Sequence, residues 1–264
     1  MSGDADARTG GRRIALLIEY DGTAYCGSQY QDNGPSIQSA LEAAINNLTG
    51  ETVRAAFAGR TDAGVHALGQ TAAFDTESNL AAAEFVRGLN HFLARDIAIR
   101  AARAVEPAFD PRRHARERLY RYRIENRVAR LALERNRAWQ VPRALDVAAM
   151  QAAAQRLEGA HDFAAFAAPY EGSTRRTLRR CAVSAHDGHI EIEMAAEAFL
   201  PHQVRRTVGP LVEVGLGKMT QEALVSLLQA AIPASAQPVA PALGLYLVSV
   251  KYDALDFGRV EGDG

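Results

Sequence analysis

The chain has 264 residues, 48% of them hydrophobic, which is enough for one large domain or two small ones with a real core. No apolar run approaches the roughly 18 residues that a membrane span needs, and residues 1–11 lack the apolar segment of a signal peptide. Cys26 and Cys181 form no CxxC pair, so we expect free thiols. These features predict a soluble cytoplasmic protein that contacts no membrane, with residues 1–11 as a disordered tail.

The formal net charge is −1, which as an average argues weakly against binding to nucleic acid. The charges are segregated, however. Ten arginines and only three glutamates lie within residues 112–137, and residues 175–180 hold four more arginines. Guanidinium groups bind phosphate and stack on bases, so such clusters fit RNA. They also fit ordinary solvated surfaces, and composition alone leaves both interpretations open.

The first half of the chain predicts six elements in the order strand, helix, strand, strand, helix, strand. Apolar and alternating runs predict the strands, and apolar residues at helical spacing predict the helices. Ser36 is the expected N-cap of the first helix, and Gly50 its end. The predicted strands are residues 13–20, 53–58, 70–76 and 97–105, and the predicted helices are residues 37–48 and 81–93.

The second half repeats this order. Asp187-Gly188 is a strong signal for a hairpin turn, and Pro210 is expected to kink or interrupt a helix. The predicted strands are residues 119–124, 179–186, 189–194 and 245–252, and the predicted helices are residues 145–157, 202–214 and 220–230.

We therefore expect an α/β (α+β) fold of two ferredoxin-like βαββαβ units, residues 12–106 and 112–252, followed by a tail at residues 253–264. The two units would form an extended, mostly antiparallel sheet with helices on one face and a central catalytic cleft.

Residues 59–66 (GRTDAGVH) lie between the second and third predicted strands. Gly59 and Gly64 allow positive φ and the close approach of another molecule's backbone. Arg60 and Asp62 are too close in sequence to share a helical face, but in a loop both side chains can point into one cleft. The spacing also fits an ordinary turn in which Asp62 hydrogen-bonds its own backbone.

This octapeptide resembles the catalytic loop of the tRNA pseudouridine synthases of the TruA type. Three further matches follow in the order that the family requires, and the resemblance runs from about residue 13 to residue 253. They are residues 118–122 (RLYRY), 198–205 (AFLPHQVR) and 244–252 (GLYLVSVKY). The resemblance implies conversion of uridine to pseudouridine at positions 38 to 40 in the anticodon arm of tRNA. It also implies a homodimer that binds one tRNA across both subunits and needs no metal or other cofactor.

The resemblance further implies the roles of individual residues. Asp62 is expected to act as the catalytic carboxylate, with Arg205 as the cation that keeps it ionised. Tyr120 is expected to stack on the extruded uracil near the C5 proton, while Tyr122 belongs to the core. Whether Asp62 adds to C6 of the base, adds to C1′ of the sugar or assists an elimination stays open.

Four further residues are expected to contact the substrate. The planar guanidinium of Arg60 can stack where the flipped base was, and Leu245 can form the floor of the pocket. His66 and Gln70 lie in or beside the matched loop and are expected to contact the uridine as well.

The sequence departs from the family at four places. Ser28 stands where the family usually has tryptophan, Ala165 where it has serine, and Pro201 and Pro210 flank or enter the predicted helix that carries Arg205. These departures put RNA positioning in question more than the chemistry.

Two rival hypotheses remain at this point. One is a non-catalytic RNA-binding or tRNA-folding module on the same fold. The other is a hydrolase that uses Asp62 with His66.

Overall fold

The computed structural model describes residues 11–32 and 34–258. Most of the predicted tail at residues 1–11 lies outside the described residues, as does the end of the predicted tail at 253–264. The described part contains five α-helices: α1 Ile37–Thr49, α2 Ala82–Phe92, α3 Val147–Gln155, α4 Gln203–Gly215 and α5 Gln221–Ala230. It also contains ten strands: β1 Arg12–Tyr20, β2 Ala56–Phe57, β3 His66–Thr76, β4 Ile97–Val105, β5 Glu117–Glu125, β6 Trp139–Gln140, β7 Gly159–Asp162, β8 Arg175–His186, β9 His189–Ala196 and β10 Leu245–Lys251.

The strands form one mixed, mostly antiparallel sheet in the order β4-β1-β3-β10-β5-β9-β8-β7, with β2 paired to β3 and β6 paired to β5. Only the β10–β3 and β5–β6 pairings are parallel within the described residues. The order β4-β1-β3-β2 in the first half is matched by β10-β5-β9-β8 in the second. The predicted α/β fold class is therefore confirmed, while the exact boundaries between two units stay a prediction.

The core lies between this sheet and the helices. In β1, Ile14, Leu16 and Ile18 are buried against Leu41 and Ile45 of α1, as the alternation of a strand with one covered face requires. In β5, the residues between the buried ones are charged: Arg121 pairs with Glu191 and Glu193 of the neighbouring strand β9. The helices thus cover one face of the sheet, and the opposite face carries ion pairs at β5 and a small apolar cluster around Ala15, Ala73 and Phe109.

The sheet forks at β3. β1 occupies one edge of β3, so β2 and β10 both pair with the opposite edge. β2 pairs with Ala72 and Ala73, whereas β10 pairs with His66 and Ala67. The chain that connects β2 to β3, residues 58–65, therefore lies where the two halves of the sheet meet.

Several element boundaries differ from the prediction. β2 contains two residues instead of the predicted six, and β3 begins at His66 because the parallel pairing with β10 extends it. β8 begins at Arg175 because β7, a strand that was not predicted, pairs with its first residues. The starts of β3 and β8 are thus set by pairing with β10 and β7, and not by the residues of each strand alone.

Helix α4 continues through Pro210 to Gly215, so the proline does not end the helix as one alternative predicted. Pro210 is buried with most of α4, and this packing compensates for the missing backbone donor. Within the part of the chain that the structure covers, no helix combines the length and apolar character needed to cross a bilayer.

Candidate active site

The loop at residues 58–65 is held rigidly from the side of β1. The N–H of Thr61 donates to Oγ of Ser28 at 2.8 Å, and the N–H of Ser28 donates to the carbonyl of Thr61 at 3.1 Å. The hydroxyls of Thr61 and Tyr20 are 2.8 Å apart. Ser28, a departure from the family pattern, is itself buried and thus fixes the loop through its hydroxyl.

Asp62 projects from this loop toward α4. Its Oδ2 lies 3.0 Å from a terminal nitrogen of Arg205, whose Nε donates to the carbonyl of Ala240 at 2.8 Å. The Asp62 side chain is 29% exposed and that of Arg205 is 18% exposed. The guanidinium is thus oriented by one bond to the backbone and one to the carboxylate, which makes a charge-assisted contact of fixed geometry.

Asp62 lines a cleft of about 570 Å³. The walls come from the β2–β3 loop, from β5 and from the segment that precedes α4. The cleft is lined by Arg60, Asp62, Tyr120 and Leu245. Arg205 is not part of the lining but contacts Asp62. Four of the seven predicted site residues therefore share one cavity, and a fifth contacts it through Asp62. Other charged or aromatic lining residues are Phe57, Asp110, Arg112, Arg118, Tyr170, Arg176, Phe199 and His202.

Tyr120 is buried at the bottom of the cleft, edge-to-face with Phe199 at a centroid distance of 5.1 Å. Burial raises the pKa of its phenol above the usual value, and the nearby Tyr20 and Asp62 add to this effect. Tyr120 therefore stays protonated at neutral pH. Tyr122, two residues along β5, is fully buried and donates to the carbonyl of Pro241 at 2.7 Å, as expected for a core residue.

Arg118 is a site residue that sequence reasoning missed, although it begins the matched RLYRY segment. Its guanidinium donates to the carbonyls of Ala58 at 2.5 and 3.1 Å and of Arg112 at 2.9 Å, and also to that of Glu197. Burial lowers the pKa of Arg118, and the neighbouring Tyr120, Tyr252 and Glu197 offset this effect only in part. Arg118 thereby ties the start of the Asp62 loop to the opposite wall of the cleft.

His66 does not line the cleft. The ring is buried and stacked on Tyr246 at 4.7 Å, and its Nδ1 accepts from the N–H of Gly22 at 3.2 Å. Its Nε2 lies 3.0 Å and 3.1 Å from the carbonyls of Asn136 and Leu243, and its Nδ1 also lies 3.2 Å from Oδ1 of Asp21. The expected contact of His66 with the substrate stays a prediction. The hydrolase hypothesis is weakened, because the His66 ring is buried outside the cleft that Asp62 lines.

The position of Gly22 explains why this histidine can approach so closely. A Cβ at residue 22 would lie 2.0 Å from the carbonyl oxygen of Val65, so only glycine fits.

Gln70 has a comparable supporting position: it is fully buried, outside the cleft, and its Nε2 donates to the carbonyl of Gly59 at 2.8 Å. His66 and Gln70 therefore contact the backbone around the loop from outside the cleft.

Among residues 11–32 and 34–258, no group of three or more His, Cys, Asp or Glu side chains is arranged to hold a metal ion.

Comparison with known proteins agrees with the geometry. A family model described as tRNA pseudouridine synthase matches residues 16–112 and 153–253, more than half of the chain. The chain is 49% identical over 245 residues to tRNA pseudouridine synthase A of Allorhizobium ampelinum, which covers 91% of this chain and 95% of that relative. It is 47% identical over 243 residues to the protein of the same name from Afipia carboxidovorans, with coverages of 91% and 99%. It is 48% identical over 246 residues to that of Roseiflexus castenholzii, with 91% of each chain covered. The chain therefore belongs to the tRNA pseudouridine synthase family.

Proposed function

We propose that this protein converts uridine to pseudouridine at positions 38 to 40 in the anticodon stem-loop of tRNA. The observation that supports this most directly is the Asp62–Arg205 ion pair at the wall of an open cleft. A carboxylate that is partly exposed and held in place by an ion pair is suited to act as a nucleophile. The family membership supplies the substrate class, and the position within tRNA is the finer part of the proposal.

Asp62 is the proposed catalytic group. The reaction breaks the bond from N1 to C1′ and forms a bond from C5 to C1′, with no net oxidation or reduction, so the side chains alone can supply the chemistry. Asp62 acts by addition at C6, addition at C1′ or assistance to elimination. Arg205 orients the carboxylate through the ion pair, Tyr120 and Phe199 pack against the base, and Leu245 provides an apolar floor.

RNA binding is assigned to arginines at and beside the cleft. Arg60 is exposed at the rim, where its planar guanidinium can fill the space left by a flipped nucleotide. Arg112 and Arg176 line the same cleft, and an adjoining groove of about 480 Å³ is lined by Arg175, Arg176 and Arg179. Such a path of guanidinium groups fits a phosphate backbone.

We further propose a cytoplasmic homodimer that binds tRNA across both subunits. Because the formal net charge is −1, a single subunit attracts RNA only weakly by its total charge. Two subunits would combine their local arginine clusters into a larger basic surface.

The experiment is incubation of the purified protein with unmodified tRNA, followed by mapping of pseudouridine with carbodiimide adducts. Product at one or more of positions 38 to 40 supports the proposal. Pseudouridine only at other positions would contradict the assigned positions 38 to 40. If none of the tRNAs contained pseudouridine, the proposed synthase activity would be contradicted. Size measurement with and without tRNA tests the homodimer.

A further inference from the structure

His202 is a second titratable side chain beside the Asp62 carboxylate. Its Nε2 lies 3.6 Å from Oδ2 of Asp62, on the same oxygen that Arg205 contacts. The side chain is 41% exposed and lines the cleft. It is therefore accessible to a bound base and close to the proposed reacting carboxylate at the same time.

The backbone around His202 holds the imidazole in this place. His202 precedes the first residue of α4 with φ of 61°, a left-handed conformation that is uncommon for residues other than glycine. The turn is closed by the N–H of Gln203, which donates to the carbonyl of Leu200 at 3.1 Å. The Gln203 side chain in turn accepts from the N–H of Leu200 at 2.8 Å. A strained residue so well supported at the edge of a cleft is typical of a functional position.

The proposed reaction leaves one task without a suitable group. After C1′ has joined C5, that carbon still carries its hydrogen, which must leave as a proton. Tyr120 is a poor acceptor because burial keeps its phenol protonated. The Asp62 carboxylate is held by Arg205 through Oδ2, and a carboxylate is a weaker base than an imidazole. Arg205 remains protonated, since guanidinium is a cation throughout the physiological range.

We propose that His202 accepts the C5 proton in the final step of pseudouridine formation; this inference rests on the proposed function. The C5–H bond breaks, and its electron pair forms the C5=C6 double bond. On the two routes in which Asp62 does not add to C6, the C6=N1 electron pair moves to N1, which takes up a proton from water. The proton from C5 goes to Nε2 of His202, so the step is balanced with solvent as the only other participant. The neighbouring Asp62 carboxylate stabilises the imidazolium that forms.

Several charged and titratable groups surround this position, and each can influence the pH dependence. Asp62 comes from the β2–β3 loop and Arg205 from the first turn of α4. The remaining groups around the cleft are Arg60, Asp110, Arg112, Arg118, Tyr120, Tyr170 and Arg176.

The test is single-turnover pseudouridine formation by wild type and His202→Asn, on tRNA with hydrogen or deuterium at C5 of uridine. Asparagine tolerates the left-handed backbone, so this variant removes the imidazole and keeps the turn. We expect the rate to fall about 100-fold, as is typical when a general base is lost. We also expect a larger C5 deuterium isotope effect in the variant, because proton removal becomes rate-limiting. His186→Asn, at an exposed histidine far from the cleft, is the matched control.

Two further readouts separate proton transfer from a structural role. The wild-type rate should rise with pH, and His202→Asn should lose this rise. Added imidazole should accelerate His202→Gly, in which the backbone conformation is relaxed and the side-chain space is empty. An unchanged isotope effect and pH profile in an active but slower variant would overturn the assignment, and so would a variant as fast as wild type. If wild type itself forms no pseudouridine, the proposed function fails and this inference falls with it.

Discussion

Asp62 and Arg205 are 143 residues apart in the sequence, and their side chains meet at 3.0 Å. One side chain belongs to the loop between β2 and β3, and the other to the first turn of α4. The pair therefore joins the two halves of the chain at the point where the sheet forks. The proposed chemistry depends on both halves being folded against each other.

Arg205→Lys should lower the single-turnover rate by about 100-fold, the loss typical of removing one oriented electrostatic partner. An ammonium group cannot reproduce the fork that bonds both the Ala240 carbonyl and Asp62. The matched control is Arg116→Lys, at an exposed ion pair with Asp253. A rate for Arg205→Lys equal to that of Arg116→Lys would show that the oriented pair is dispensable.

Arg118→Lys should reduce the free energy of unfolding by about 2 kcal/mol, because lysine leaves at least one buried carbonyl without a donor. The carbonyls concerned belong to Ala58, Arg112 and Glu197. Urea denaturation measures the change. Arg121→Lys, on the charged face of the same strand, is the control and should cost less than half as much, because lysine can still pair with Glu193. An equal fall in unfolding free energy for both variants would contradict the claim that the buried hydrogen bonds of Arg118 contribute more than its charge.

Cys181 should resist thiol reagents in the folded protein, whereas Cys26 should react. Cys181 is fully buried, and burial raises the pKa of its thiol to about 12, with a smaller contribution from Glu158. Cys26 is only partly buried. A native-state titration should therefore count one thiol, and a titration in denaturant should count two. Rapid modification of both thiols in the folded state would contradict the burial of Cys181.

Asp21 should contribute stability that is lost in acid. Burial opposes ionisation of this carboxyl, but the Thr23 hydroxyl and N–H, at 2.6 and 3.0 Å, outweigh it and lower the pKa. A lowered pKa in the folded state stabilises the protein above the ordinary aspartate value of about 4, and the contribution disappears as pH falls through the lowered pKa. Asp21→Asn should therefore differ from wild type in unfolding free energy at pH 7, and this difference should shrink toward pH 3.5. The exposed Asp32→Asn is the control, and a constant difference for Asp21→Asn across this range would contradict the assignment.

The local features of the fold could be predicted from sequence. Ser36 caps α1 through the N–H of Ser39, and Gly50 follows the helix with φ of 77°, both as expected. Asp187 and Gly188 both adopt positive φ in the turn between β8 and β9, as the hairpin signal predicts. In each case the structure is decided by residues within a few positions of one another.

The features that were missed depend on contacts between distant segments. His66 and Gln70 belong to the recognised loop, but their partners are the backbone of Gly22, Leu243 and Gly59. Arg118 likewise binds carbonyls, which every residue has and which leave no pattern in the sequence. Motif reasoning could therefore assign residues to the site, but not decide which of them face the cleft and which hold it in shape.

The Asp62 carboxylate is proposed to perform the chemistry. The most direct test compares wild type with Asp62→Asn in a single-turnover assay on unmodified tRNA, with tRNA binding measured in parallel. Asparagine has the same shape but is a far weaker nucleophile. The account predicts tRNA affinity within about threefold of wild type, a difference of less than 1 kcal/mol, and no pseudouridine above background. Pseudouridine formation by Asp62→Asn at a rate close to that of wild type would contradict it.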